Sequence, residues 1–369
     1  MKRLVSVVAL VLCGTSVAFA QTPRAVTPAH KPSTAAQKAS QPKFKAIFEP
    51  VNYKQDLTLL DVFFVSKEEG WVSGTANTIL HTKDGGNSWT AELGGDPQAQ
   101  GEQIKHLFFT NARHGWAQAW STMFRTTDGE NWQQVTGDIR GDAFFVSDVK
   151  GFRDDGGGRM FVTQNGGTSW KQIFVCHAAM EIEGLTQEKN CSTWVLKFPS
   201  ANVGYAMGDP RITEKTVDGG ATWKVLVGPE EPGDQRVNAA FFIDENTGFA
   251  VRWPNLFRTN DGGQTWQGVV AKLPGPNPQV KFVDHEVAWS CLGSTLAYTV
   301  DGGKHWTSRE LRFPTPVLAF SLPARDRGYV VGDHGMIYRY RVVPIDYTAK
   351  GILDAPMMPE ASASQTPPQ

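Results

Sequence analysis

The sequence lacks a net excess of charge, with 36 Lys and Arg against 37 Asp and Glu in 369 residues. This balance argues against nucleic acid or an anionic membrane surface as the main partner, since both select strongly basic proteins. Long apolar runs are missing after the first 20 residues, so we expect no direct membrane insertion. A glycine-rich phosphate loop is missing too, because the Gly pairs lie between strand patterns and not before helices.

The chain begins with the pattern of a secretory signal peptide. Lys2 and Arg3 precede an apolar stretch over residues 4–11, and Ala18-Phe19-Ala20 has the form of a cleavage site. We therefore predict a signal peptide over residues 1–20, cleavage near Ala20, and a periplasmic or secreted protein. A membrane anchor is the alternative, but the apolar stretch is short for one.

Two further segments offer almost nothing to bury. Residues 21–42 are rich in Pro, Ala, Thr, Ser, Gln and Lys, and residues 348–369 end in Ser-Gln-Thr-Pro-Pro-Gln. Such compositions are typical of flexible chain. We predict a disordered linker, a folded part over residues 43–347 and a Pro-rich disordered tail.

A turn pattern recurs six times at intervals of about 40 residues, the period of a four-stranded propeller blade. Each copy has Thr, then Asp or Asn two residues later, then one or two Gly, and then Trp. The Asp or Asn positions are Asp84, Asp128, Asn165, Asp218, Asp261 and Asp301. The second copy is one residue short.

Two other markers fix the register of the repeat. A β-rich pair such as Phe63-Phe64 opens each unit, and a small residue followed by an aromatic residue, such as Gly70-Trp71 or Ala288-Trp289, comes shortly after. We predict strands a, b, c and d in each unit, with the turn between c and d. A seventh unit has the first markers without the turn, so we expect residues 44–48 to supply its missing strand. The predicted fold is all-β, a seven-bladed β-propeller closed by an N-terminal strand, because an open ring would leave sheet edges unpaired.

The repeated turn has a structural explanation. Asp accepts backbone N–H groups two residues on, and Gly supplies a positive φ. Six copies are not expected to be six active sites, and Asp-Gly-Gly lacks the further carboxylates of a calcium loop. We therefore predict no metal and no cofactor at these turns.

The candidate binding residues lie in the b–c loops, which share one face of a propeller with the d–a connections. Charged and aromatic residues converge there, and Trp and Arg are favoured interface anchors. The predicted partner-binding residues are Trp120, Asp209, Arg211, Arg252, Trp253, Asp333 and His334. The alternative for any one of them is an ordinary loop residue.

A longer interval between the third and fourth turns marks an insert that holds Cys176 and Cys191. In an exported chain, two cysteines in one loop predict a disulfide. A metal site that also uses His177 is the alternative, although it offers only three soft ligands. Cys291 is predicted to be a buried core thiol.

The repeated turn resembles the Asp box, or BNR repeat, of sialidase-type propellers. With the Phe pairs, the Gly-aromatic pairs and an export signal, residues 44–343 look most like the photosystem II stability and assembly factor family. The shortened second box, Asn165, the insert and the tail depart from that pattern. The resemblance implies a non-enzymatic scaffold that holds a protein partner, such as a membrane-complex subunit, during assembly in the lumen or periplasm. We also expect a monomer.

Two other function classes remain open from the sequence. A glycoside hydrolase normally needs two positioned carboxylates, and nothing fixes the separation of Asp209 and Asp333. A sialidase would need an arginine cluster, whereas the candidate face offers the pair Arg211 and Arg252. Carbohydrate binding through Trp120 and Trp253 is the third possibility.

Overall fold

The computed structural model describes residues 44–135, 143–155, 157–175, 177–182, 185–190, 192–209, 212–227, 237–275 and 277–344. Within them the strands form seven four-stranded sheets and one two-stranded hairpin. The sheets are the blades of a propeller, so the predicted all-β, seven-bladed fold is confirmed. None of the described residues belongs to a helix long and apolar enough to cross a bilayer.

Blades 1 to 6 are antiparallel meanders whose strands a to d follow the order of the sequence. The first strand of the chain, β1, spans Phe44–Pro50. Blade 1 contains β2 (Leu59–Phe64), β3 (Gly70–Gly74), β4 (Ile79–Thr82) and β5 (Thr90–Leu93). Blade 2 contains β6 (His106–Phe109), β7 (Gly115–Gln118), β8 (Met123–Thr126) and β9 (Gln133–Val135). Blade 3 contains β10 (Ala143–Phe145), β11 (Gly151–Asp154), β12 (Arg159–Thr163) and β13 (Lys171–Val175).

The remaining blades follow the same plan after an inserted hairpin. The hairpin is β14 (His177–Ile182) and β15 (Leu185–Asn190). Blade 4 contains β16 (Ser192–Lys197), β17 (Gly204–Asp209), β18 (Ile212–Thr216) and β19 (Lys224–Val227). Blade 5 contains β20 (Ala239–Phe242), β21 (Gly248–Arg252), β22 (Asn255–Thr259) and β23 (Gln267–Val269). Blade 6 contains β24 (Lys281–Phe282), β25 (Ala288–Leu292), β26 (Thr295–Thr299) and β27 (Thr307–Glu310). Blade 7 contains β28 (Val317–Ala324), β29 (Arg327–Gly332) and β30 (Ile337–Pro344).

The fourth strand of blade 7 is β1, from the other end of the folded chain. It pairs antiparallel with β30 along its full length, from Phe44 opposite Pro344 to Pro50 opposite Tyr338. The Glu49 carboxylate also binds the guanidinium groups of Arg339 and Arg341 on β30, at 2.6 and 2.7 Å. The two chain ends therefore close the ring within one sheet.

Aromatic stacking joins each of blades 1 to 6 to the blade before it. In these blades the Phe that ends the opening pair lies flat against the strand-b aromatic of the preceding blade. Phe64 stacks on Tyr329 with ring centroids 3.5 Å apart, and Phe145 stacks on Trp116 at 3.8 Å. The Gly of the Gly-aromatic pair leaves room for that ring, because a Cβ on Gly70 would lie 2.4 Å from Phe64. The fixed spacing between the opening pair of strand a and the Gly-aromatic pair of strand b is therefore required for the Phe ring to pack over the glycine.

The six turns have the geometry of Asp boxes. In the first, the Thr82 hydroxyl donates to Asp84 Oδ1 at 2.9 Å and accepts from the Gly86 amide at 2.9 Å. Asp84 also accepts from the amide and hydroxyl of Ser88. In the shortened box, the amide of Asn131 reaches Asp128 Oδ1 at 2.8 Å. Each turn is held by its own side chains.

The insert after blade 3, expected as a disulfide-bonded loop, contains a hairpin. Its strands pair from His177 opposite Asn190 to Ile182 opposite Leu185. Cys176 and Cys191, predicted to form the disulfide, lie outside the described residues. Cys291 is a buried free thiol, and burial raises its pKa to about 12.

Candidate functional site

The b–c turns and the d–a connections meet on one end of the propeller, here called the b–c/d–a face. His334, in the b–c turn of blade 7, lies 2.7 Å from Asp56, which precedes strand a of blade 1. In blade 5, the amide of Trp253 donates to Asn238 Oδ1 at 3.0 Å. The first contact ties the b–c turn of blade 7 to the connection before blade 1, and the second anchors the backbone of Trp253 to the start of its own blade.

Trp120 is a highly exposed aromatic side chain on this face, at 86%. Its loop is anchored just after it, because Glu102 accepts the Ser121 amide at 2.9 Å and the Thr122 hydroxyl at 3.1 Å. The Ser121 hydroxyl also donates to Glu102, and this bond is the main reason that the pKa of Glu102 is lowered. An ionised Glu102 therefore holds Trp120 on a fixed turn.

Trp253 supplies a second exposed aromatic, at 46%, in the b–c turn of blade 5. Its neighbour Arg252 was expected beside it on the surface, but that side chain is only 3% exposed. The guanidinium carbon of Arg252 lies 5.9 Å from the ring centroid of Phe257 in the same blade. Trp253 faces solvent, whereas Arg252 contributes to the interior below it.

The structure places the other predicted residues as follows. Asp333 and His334 form the tight b–c turn of blade 7, where His334 has a φ of 57° and the Asp333 carbonyl accepts the Met336 amide at 3.1 Å. Asp209 is the last residue of strand β17, and its backbone pairs with Ser192. Arg211 lies outside the described residues.

Two buried carboxylates near the same end were not predicted as a pair. Asp154 ends strand b of blade 3 and Glu214 is in strand c of blade 4; their exposures are 1% and 0%. Burial, and then the charge of Asp154, raises the pKa of Glu214 to about 8. Glu214 is therefore protonated at neutral pH. The sequence feature that could have indicated a buried carboxylate is Glu214 itself, which lies between Thr213 and Lys215 in a strand whose residues are mostly buried.

A central channel of about 1050 Å³ runs between the innermost strands, and it was also not predicted. Its walls come from the strand-a segments of six blades, including Phe63, Phe108, Phe144 and Lys281. An alignment of the units on their Phe pairs would have found it, because that alignment places Lys281 at the position of Phe63.

Among the described residues, no group of three or more His, Cys, Asp or Glu side chains is placed to hold a metal ion. The b–c/d–a face instead presents two exposed tryptophans and the polar Asp56–His334 contact.

The chain was compared with known proteins. The profile of a family described as photosynthesis system II assembly factor YCF48 matches residues 41–190 and 177–288. The photosystem II stability/assembly factor HCF136 of Arabidopsis thaliana is 24% identical, over 81% of this chain and 79% of that protein. The photosystem II assembly lipoprotein Ycf48 of a Synechococcus strain is 23% identical, over 84% and 91%. A solved structure described as YCF48 bound to D1 peptide matches with a TM-score of 0.58 and 17% identity, over 81% of this chain and 96% of that one.

Proposed function

The chain belongs to the photosynthesis system II assembly factor YCF48 family, and we propose that it is an exported scaffold that binds a polypeptide segment of a membrane-complex subunit on the b–c/d–a face. The observation that carries the proposal is the pair of exposed tryptophans, Trp120 and Trp253, on anchored turns of that face. Preorganised aromatic anchors of this kind dominate binding energy at protein interfaces.

The relatives support a protein partner. Two of them are named for the stability or assembly of photosystem II, and a related structure carries a peptide of D1. By analogy, the segment bound by this chain belongs to a membrane complex under assembly, and the chain acts as a holder of that segment without catalysing a reaction.

The features of this face do not favour the sialidase alternative. A sialidase needs several exposed arginines for its substrate carboxylate, whereas Arg252 is 3% exposed. The relatives found are assembly factors and not glycoside hydrolases. A protein-binding role therefore has the stronger support.

The site of action follows from the N-terminal pattern. We propose that residues 1–20 direct export, that cleavage occurs near Ala20, and that residues 21–42 link the propeller to the new N-terminus. The propeller would then work in the periplasm or outside the cell, where it meets the exported loops and tails of membrane proteins.

The test uses an array of peptides that cover the exported loops and tails of membrane-complex subunits of the host. The affinity of each retained peptide is then measured by fluorescence anisotropy. We expect Trp120→Ala and Trp253→Ala each to weaken binding by about tenfold or more, because truncation of an aromatic anchor commonly has an effect of this size.

The matched control is Val217→Ala, since Val217 is an apolar side chain 65% exposed within an Asp box and so on the opposite face. The affinity of the Val217→Ala variant for the peptide should stay within about twofold of the wild-type value. If both tryptophan variants bind as the wild type does, the proposed face is wrong. Retention on an oligosaccharide array with no peptide binding would support the carbohydrate alternative.

A further inference from the structure

The central channel has a regular construction. In each blade, one strand-a residue pairs with the aromatic residue of strand b, as Phe63 pairs with Trp71 and Lys281 with Trp289. Six of these equivalent positions line the channel: Phe63, Phe108, Phe144, Lys197, Phe241 and Lys281. One ring of equivalent positions therefore contains four phenyl groups and two ammonium groups.

The phenyl groups of blades 1 to 3 form a continuous wall. The ring centroids of Phe63 and Phe108 are 6.2 Å apart, and those of Phe108 and Phe144 are 5.0 Å apart. Because all three side chains are only partly buried, their faces and edges remain open to the channel. This wall offers an apolar surface to a small molecule.

Lys281 lies in blade 6, and its side chain reaches the blade 1 end of this wall. Its Nζ is 3.5 Å from the Val62 carbonyl and 5.4 Å from the ring centroid of Phe320. An ammonium group has three N–H donors, and the contact with Val62 is a long one. Burial lowers the pKa of Lys281, and the Asp61 carboxylate acts in the opposite direction.

The nearby Asp61 carboxylate is not in direct ion-pair contact with the Lys281 ammonium group. Asp61 Oδ1 accepts the Val62 amide and Oδ2 accepts the Leu107 amide, both at 2.8 Å. The channel therefore combines an apolar wall with the N–H donors of Lys281, which favour an anion.

We propose that the central channel binds an apolar monoanion, such as an aromatic carboxylate, with its carboxylate at Lys281 and its carbon body against the phenyl wall. The channel volume of about 1050 Å³ accommodates such a molecule. This site lies between the innermost strands, and the proposal does not depend on the function proposed for the b–c/d–a face.

The test is titration calorimetry of the whole mature chain with 2-naphthoate, and with neutral 2-naphthalenemethanol in parallel. We expect 2-naphthoate to bind at one site and the alcohol to bind at least about tenfold more weakly, since it lacks the charge-assisted bond. Lys281→Met keeps most of the aliphatic stem and removes the ammonium group, so it should weaken 2-naphthoate binding by about tenfold or more. Lys281→Gln is a second variant, for use if the first does not fold.

The matched control is Lys304→Met, which makes the same charge change at an exposed Lys outside the channel. It should bind 2-naphthoate as the wild type does. The proposal is overturned if wild-type protein shows no binding, if the alcohol binds as tightly as the acid, or if the folded Lys281 variants keep full affinity. Equal losses at Lys281 and Lys304 would also overturn it, because they would indicate attraction by overall charge.

Discussion

At the scale of the residue, the Asp box depends on a hydrogen-bond pattern more than on a charge. In the box at Asp218, the carboxylate accepts the Thr222 amide at 2.9 Å and the Thr222 hydroxyl at 2.6 Å. The box at Asn165 keeps the amide bond, from Ser169 at 2.9 Å, but its Nδ2 donates to the Ser169 hydroxyl. One bond reverses its direction and the turn is preserved.

The carboxylate boxes should make the protein sensitive to acid. Bonds from the Thr222 hydroxyl, the Thr222 amide and Thr216 lower the pKa of Asp218 from 3.8 to about 2. A lowered pKa in the folded state stabilises that state above pH 3.8, and the contribution is lost as the pH falls through about 2. The unfolding free energy of the wild type should fall as the pH is lowered from 3.8 to about 2, and we expect it to fall less in Asp218→Asn. Urea denaturation at a series of pH values would measure both curves.

The control for this measurement is Glu245→Gln, which removes an exposed carboxylate outside the boxes. It should leave the pH dependence of the wild type nearly intact. A curve for Asp218→Asn that coincides with the wild-type curve would show that the box carboxylate has the same pKa in the folded and unfolded chain.

At the scale of the element, strand b of each of blades 1 to 5 begins with a glycine because a ring from strand a covers it. A Cβ on Gly115 would lie 2.3 Å from Phe109, whose ring also stacks on Trp71 at 3.9 Å. The ring cannot move away without losing that stack. The glycine therefore couples pairing within a blade to stacking between blades.

We expect Gly115→Ala to lower the unfolding free energy by about 1–3 kcal/mol, the usual cost of overpacking. Chemical denaturation with fluorescence detection would measure it. Gly268→Ala is the matched control, because Gly268 is an exposed strand residue whose added Cβ would meet nothing within 4 Å. If both variants lost the same stability, the cause would be strand propensity and not the Phe109 contact.

At the scale of the whole molecule, the Asp boxes also bind the blades to one another. The Trp71 indole donates to the Gly129 carbonyl at 3.1 Å, and the Trp116 indole donates to the Gly166 carbonyl at 3.0 Å. The same link between blade 7 and blade 1 runs from Arg339 to the Gly85 carbonyl at 2.8 Å. Each of these bonds joins one blade to the box of the next.

Removal of the closing strand should therefore destabilise the entire ring. Deletion of residues 43–50 takes away the partner of β30 and leaves blade 7 with an open edge. We expect this truncation to lose the cooperative melting transition in circular dichroism. Deletion of residues 21–42 is the control and should melt as the full chain does; a native transition after loss of 43–50 would contradict the closure argument.

Much of the fold was predictable because its signals are local and repeated. The Thr-x-Asp-Gly turn and the Phe and Gly-aromatic markers each satisfy a requirement within one or two blades, so they gave strand order and blade number. The candidate site was less predictable. Trp120 is exposed as expected, whereas Arg252, in a similar loop position, is buried.

The sequence by itself determined the blade count, the strand register and the chemistry of the turns, because hydrogen bonds between near neighbours set them. Only the tertiary structure decided which loop side chains face solvent and that Phe63 and Lys281 line one channel. The physical reason is that exposure and encounter depend on side chains from other blades, which lie far apart in the sequence. Ring closure brings those side chains together.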